Sequence, residues 1–422
     1  MFMVPTIPKP ALYSILLLAA ISASAQEWPR FRGPNGSGHG KISSFPAEFT
    51  TADYDWTIKL NGVGHSSPTV GTKCLFLTVY DEEKNERRVL CFDSQSGARD
   101  WIWKHPVEQH NLHKYNNFAS STPAVDKDHV YVVWGSGTNT EAIALTHEGE
   151  LAWQRSWSGF ISDHGFGASP ILVDGVLILH TDNVEKRTSY VMGLDPKNGE
   201  SLWKMERVTE DPEAKHVTAY NTPTSVTVGG KTILVVLQTN DGWKGIDPKT
   251  GEVLWSYQGD YNQRSVASIG SFEDIIFATF GSGGKGKMAT ALKVKAKGDP
   301  EVLYSLGLSD GLEYVPTPLF HDGLLYLWGD GGILTCRDAI TGKEVYQERI
   351  GGNFFSSPVV IDGKIFCGSR DGQFFAVAPG REFKILGRSN LMSGMNATPA
   401  IANNRVFLRT DTHLISIKGK GK

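Results

Sequence analysis

Two short signatures recur along this chain, and their spacing limits the fold more than any other feature. The first is Ser or Thr, then Pro, then an apolar stretch: Ser67-Pro68, Thr122-Pro123, Ser169-Pro170, Thr222-Pro223, Thr317-Pro318, Ser357-Pro358 and Thr398-Pro399. A degenerate copy without proline lies near Ser265 to Ile269, which makes eight starts. The second is Asp, then Gly four residues on, then an aromatic four further: Asp93/Gly97/Trp101, Asp195/Gly199/Trp203, Asp247/Gly251/Trp255 and Asp338/Gly342/Tyr346. Gly149/Trp153 keeps the second half, and copies near Gly298/Tyr304 and Gly380/Phe383 are eroded.

Between the signatures run short Val, Ile, Leu and Phe stretches broken by Gly, Asp and Asn turns such as Val173 to Gly175 and Ile361 to Gly363. No long stretch carries the 3.6-residue period of a helix. Each unit thus holds four strands in roughly 40 to 55 residues, the arithmetic of a propeller blade. The prediction is an all-β chain, with residues 51–422 forming one eight-bladed β-propeller. Its last unit supplies three strands, ending at His413 to Ile417. Tyr54 to Leu60 is expected to supply the fourth, because Trp56 matches the aromatic that ends the other blades. Closing the ring with this N-terminal strand removes the sheet edges an open ring would expose.

Composition narrows the partners. With 42 Lys and Arg against 45 Asp and Glu, the net charge of -3 gives no electrostatic reason to expect nucleic acid or an anionic membrane surface. Lys9, the apolar run Ala11 to Ile21 and Ala23-Ser24-Ala25 follow the charged, apolar and small-residue order of a secretory signal peptide over residues 1–25. The run is too short to span a bilayer, which needs about 20 residues. No Cys follows the cleavage position to take a lipid, so a soluble, exported, monomeric protein is expected, with residues 26–50 as an N-terminal extension.

Four cysteines, Cys74, Cys91, Cys336 and Cys367, show no metal-ligand spacing, and no metal site is assigned. Cys74 and Cys91 flank a polar turn, so a hairpin could set them opposite one another; a disulfide and a pair of small buried hydrophobes both remain open. The connection holding His105, Glu108, His110 and His113 reads as solvated loop histidines. Gly281 to Lys287 lacks the Gly-Lys-Ser/Thr ending of a phosphate loop and reads as a hairpin tip.

In a propeller, the loops that enter the first strands share one face with the loops between second and third strands. The opposite face holds the Asp-Gly turns, whose Asp residues are read as structural. Just before the first strands stand His65, Asn117, His164, Asn221, Arg264, Tyr314 and Asn396, with Tyr220 and Tyr261 among their neighbours. Strand entries converge on the axis, so these seven are expected to ring a central funnel and bind a ligand. The competing reading is that such Asn and His side chains only bond their own turns.

The Ser/Thr-Pro starts with Asp-to-Trp blade ends resemble the repeats of pyrroloquinoline-quinone-like (PQQ-like) propellers over nearly all of residues 50 to 418. The opening Trp28-Pro29-Arg30-Phe31-Arg32-Gly33-Pro34-Asn35-Gly36 is similar to the start of exported bacterial members called BamB-like. The resemblance implies an exported binding or scaffold module that takes a protein, peptide or glycan at its funnel face, with no catalytic residue assigned. The alternative it implies is a dehydrogenase dependent on PQQ and Ca²⁺, for which Asp163 and Glu313 are the available carboxylates. Against this, the adjacent Cys-Cys pair usual in quinoprotein alcohol dehydrogenases is missing.

Overall fold

The computed structural model describes residues 27–186, 188–209 and 218–421; the leader read over residues 1–25 lies outside them. Eight sheets follow one another as the blades of a propeller, each built on four antiparallel strands, with a fifth strand added to one of them. Blade 1 runs outward from the axis as Thr69–Val70, Cys74–Asp81, Glu86–Asp93 and Arg99–Pro106. Blades 2 to 7 open at Ala124–Val125, Ile171–Val173, Thr224–Val228, Gly270–Phe272, Leu319–His321 and Val359–Ile361. Blade 8 contains Ala400–Ala402, Arg405–Arg409 and His413–Lys418, and Trp56–Lys59 completes it, with Trp56 opposite Ser416 and Lys59 opposite His413.

Position within a blade explains the residue patterns. Second strands lie between two neighbouring blades and are apolar on both faces, as in His129–Ser136, where Val130 to Ser136 are all buried. Outer strands such as Arg99–Pro106 face solvent and are far more exposed.

The Asp-to-aromatic signature serves two adjacent blades. Asp93 Oδ1 accepts the N–H groups of Gln95 and Ser96, and Asp247 Oδ1 those of Lys249 and Thr250, so the Asp residues shape their own turns. The Gly is bare because the preceding blade's Trp lies on it. A Cβ at Gly149 would stand 2.6 Å from the Trp101 ring, and one at Gly251 would stand 2.7 Å from Trp203. Trp101 and Trp203 then donate Nε1–H to the His147 and Pro248 carbonyls at 2.8 and 2.9 Å. Trp56 docks on Gly97 in the same way, so the closing strand joins blade 8 to blade 1.

The Ser/Thr of the first signature forms a closed circle. The hydroxyl of Thr122 accepts the N–H of Ser67, and the pattern continues through Ser169, Thr222, Ser268, Thr317, Ser357 and Thr398 until Ser67 Oγ accepts the N–H of Thr398. Blade 5, which lacks the proline, keeps its place through Ser268.

Residues 27–50 thread the ring. Trp28 pairs with Val70, Arg30 donates to the Pro223 carbonyl at 2.9 Å, and Arg32 donates to the Thr317 and Pro318 carbonyls at 2.8 and 3.1 Å. His39–Gly40 then runs parallel to Val359–Ile361 as a fifth strand of blade 7. The glycines of this opening fit its side chains: a Cβ at Gly33 would strike the Trp28 ring at 2.5 Å, and one at Gly38 would strike Arg32 at 2.6 Å. Both have positive φ, 71° and 74°, which favours Gly independently. Burial pushes both guanidinium pKa values down to about 9.

Candidate functional site

Above this N-terminal plug, on the face of the strand entries, the eight blades enclose a cavity of about 460 Å³. The hydroxyl circle lines its wall, and Phe31, the aromatic between the two plugging arginines, also lines it.

Five of the seven residues expected at the funnel line this cavity: His65, His164, Arg264, Tyr314 and Asn396. The other two do not. Asn221 is buried in the wall, donating to the Leu237 carbonyl at 2.9 Å and Ser265 Oγ at 3.0 Å. Asn117 accepts the Ala119 N–H at 2.8 Å, and its neighbour Asn116 takes the place in the lining. For these two, bonding within the chain wins over a place at the axis.

The lining is rich in donors and aromatic rings. His164 Nδ1 lies 3.1 Å from Tyr220 Oη, and the His113 ring is tilted against His164 at 4.9 Å. Burial pushes the His65 pKa down to about 4, helped by the nearby Arg409 and Arg370 guanidinium groups, so this imidazole is neutral at pH 7. Among the described residues, Asp330 is the one carboxyl group in the lining. Its Oδ2 accepts the N–H groups of Tyr314 and Val315 at 2.8 and 3.2 Å, while burial pushes its pKa up to about 7. Asp330 Oδ1 and Asn396 Oδ1 are buried without a hydrogen-bond partner among the described residues.

At the mouth, the connection after blade 1 reaches over to blade 7. Tyr115 meets Phe355 edge-on at 5.8 Å, and the Arg370 guanidinium lies 4.6 Å from the first ring and 4.3 Å from the second. Sequence reasoning found the strand entries but missed Phe31, Tyr115, Asp330 and Phe355. Three of these sit on loops or the plug, where no repeat marks them, and Phe355 lies two residues before the Ser357-Pro358 start.

The histidines of residues 105–113 are not a solvated loop set. His105 lies in the outer strand of blade 1, stacked on Trp103 and 3.0 Å from Glu141 Oε2. His110 is wedged edge-on between Phe118 and Phe160, where burial and Arg87 push its pKa down to about 4. His113 faces the funnel. The Gly281 to Lys287 segment is a hairpin whose tip, Gly283-Gly284, reaches the cavity. Asp163 is exposed and outside the lining, and Glu313 is fully buried, accepting from Thr279 Oγ1 at 2.8 Å.

The donor set does not suit Ca²⁺ beside PQQ. Calcium takes six to eight oxygen ligands, usually several carboxylates, and among the described residues the lining offers Asp330 alone. Among the described residues, no three His, Cys, Asp or Glu donors converge at the cavity.

Among solved structures, the chain is similar to BamB from Moraxella catarrhalis, with TM-score 0.61 and 13% identity, covering 87% of this chain and 98% of that one. It is also similar to a europium-containing methanol dehydrogenase, with TM-score 0.66 and 13% identity over 91% and 90% of the two chains. A quinohemoprotein alcohol dehydrogenase from Comamonas testosteroni aligns with TM-score 0.65 and 15% identity over 96% and 82%. At such identities the likeness is one of fold. No curated protein sequence gives a match. A family model does match, over residues 85–285 and 293–381, and on that match the chain belongs to the family described as outer membrane protein assembly factor BamB.

Proposed function

We propose that this chain is an exported binding module that holds a segment of a partner protein in its funnel. The observation that carries the reading is the cavity: closed below by the plug, bounded by all eight blades, and furnished with Arg264, Tyr314, Tyr115 and Phe355 as donors and flat apolar surfaces. Buried acceptors without partners, Asp330 Oδ1 and Asn396 Oδ1, add places where a ligand N–H or O–H would be bound. A volume of this size suits one or two side chains of a bound segment, or a sugar. The family's description as an assembly factor favours a protein partner over a glycan. Among the described residues the lining has a single carboxyl group, Asp330, already engaged by two backbone N–H groups, and this supports binding over dehydrogenation.

Under this reading the leader is removed after Ala25, so exported material should begin at Gln26 by mass spectrometry. Among the described residues, no helix is long and apolar enough to cross a membrane.

The test is a panel of synthetic peptides, soluble glycans, and PQQ with Ca²⁺, followed by affinity measurements on variants. Arg264→Ala and Tyr115→Ala should each weaken binding by about 2 kcal/mol or more, as loss of a central Arg or aromatic anchor does. Asp247→Ala, in a turn on the opposite face, should leave affinity unchanged. A ligand indifferent to both funnel variants and weakened by a folded Asp247→Ala would refute the site. A bound quinone spectrum that requires Ca²⁺ would replace this reading with the dehydrogenase.

A further inference from the structure

Far from the funnel, on the face of the Asp-Gly turns, two cysteines of blade 1 come together with an aspartate. Cys74 opens the second strand opposite Asp93, and Cys91, in the third strand, pairs with Phe76. The two thiols are therefore diagonal neighbours on the face that blade 1 presents to blade 2. Asp100 joins them because the outer strand has a bulge: Arg99 pairs with Phe92 and Trp101 with Cys91, leaving Asp100 as the extra residue. A bulge re-aims the side chain it carries, and Asp100 Oδ2 comes within 3.8 Å of Cys91 Sγ. The donor atoms of Cys74, Cys91 and Asp100 all lie within 4.8 Å of one another.

A fourth group arrives from blade 2. The His147 ring lies against blade 1, edge-on to Phe76 at 5.7 Å. Its Nε2 lies 2.9 Å from the Asp126 carbonyl, which can only accept, so Nε2 carries a proton and Nδ1 is the nitrogen left to bind a metal. The His147 carbonyl is fixed in turn by Trp101 Nε1. A backbone carbonyl that fixes the tautomer of an imidazole is a usual outer support of a metal-bound histidine.

We propose that Cys74, Cys91, Asp100 and His147 bind a Zn²⁺ ion that fastens blade 1 to blade 2. Two thiolates, a carboxylate and an imidazole match the ligand preferences of zinc, whereas calcium and magnesium take oxygen. Tetrahedral zinc sets its ligand atoms about 3.3 to 3.8 Å apart, so Cys74, Cys91 and Asp100 need only small movements to close on it, and the His147 ring turns in from blade 2 to complete the set. The diagonal register argues against a disulfide. Such pairs have Cα atoms about 7 to 8 Å apart, beyond the span a disulfide bridges without backbone movement. Sequence spacing hides this site because its ligands come from three strands and a turn on two blades.

The test uses the reduced, chelator-treated chain lacking residues 1–25, with Zn²⁺ alone and with Co²⁺ as a spectroscopic probe. One zinc ion per chain is expected, a Co²⁺ complex should show a thiolate charge-transfer band, and Zn²⁺ should raise the unfolding temperature. Cys74→Ser with Cys91→Ser should abolish the band. Asp100→Asn, at an exposed position where folding is safe, should weaken Zn²⁺ binding at least about tenfold, since even outer-shell partners are worth about 10- to 100-fold. Failure of the reduced chain to give the band, unchanged Zn²⁺ affinity in both variants, or recovery of the exported chain with Cys74 disulfide-bonded to Cys91 would each overturn the proposal.

Discussion

Replacing Thr122 by Val would remove one link from the circle of hydroxyls while keeping the shape of the side chain. Thr122 Oγ1 accepts the Ser67 N–H at 2.9 Å, and the two residues are 2% and 1% exposed, so water cannot take its place. A buried donor left without a partner costs about 1 to 3 kcal/mol. Thr122→Ser makes the complementary change, keeping the acceptor and losing a methyl group worth about 0.8 kcal/mol. The assay is equilibrium urea unfolding of both variants, with hydrogen exchange read at the Ser67 amide. Thr122→Val should lose about 1 to 3 kcal/mol and expose Ser67 to faster exchange, whereas Thr122→Ser should keep that amide protected. The reasoning fails if Ser67 is equally protected in both variants, or if Thr122→Ser is the more damaging change.

Trp203→Ala should cost about 3 to 5 kcal/mol, because it empties the space over Gly251 and removes the bond to the Pro248 carbonyl; thermal or urea unfolding reads it directly. Deleting residues 26–60 should destabilise the whole propeller, and unfolding as late and as cooperative as that of the parent would disprove the closure. Burial pushes the Glu313 pKa up to about 8, above its value in the unfolded chain, so its contribution is present at low pH and is lost as pH rises toward 8. The stability of Glu313→Gln relative to the parent should accordingly increase between about pH 4.5 and pH 8. A flat difference in pH-dependent urea titrations would contradict a protonated Glu313 in the native state.

The blade count, the closing strand and the roles of Asp93 and Trp203 were legible because each repeats at a fixed offset. What the repeats could not show was the partner. In the sequence Thr122 marks a strand start and Gly149 half of a blade end, yet the first accepts the N–H of the blade before it and the second makes room for that blade's Trp101. At the funnel, the strand-entry residues Arg264 and Tyr314 line the cavity, whereas Asn221 turns into the wall, as an entry residue can do as readily as turn toward the axis. Tyr115 and Phe31 were beyond reach, because one depends on how a long connection arches and the other on a plug whose path only the assembled ring defines. Asp100 was equally hidden, since a strand bulge has no fixed spelling.

The N-terminal segment also sets the order of events when the chain folds. Residues 28–59 are synthesised first, yet they rest on partners made near the end: Arg32 on Thr317, His39–Gly40 on Val359–Ile361, and Trp56–Lys59 on His413–Lys418. Contacts so distant along the chain slow folding, because the intervening loop must close before any of them forms. Translation therefore cannot finish the ring early, since it stays open until its last strand has been made. Once that strand arrives, the same clasp works in reverse. Opening the native ring into a linear row of blades requires parting the chain's two ends, at the seam between Trp56 and Ser416.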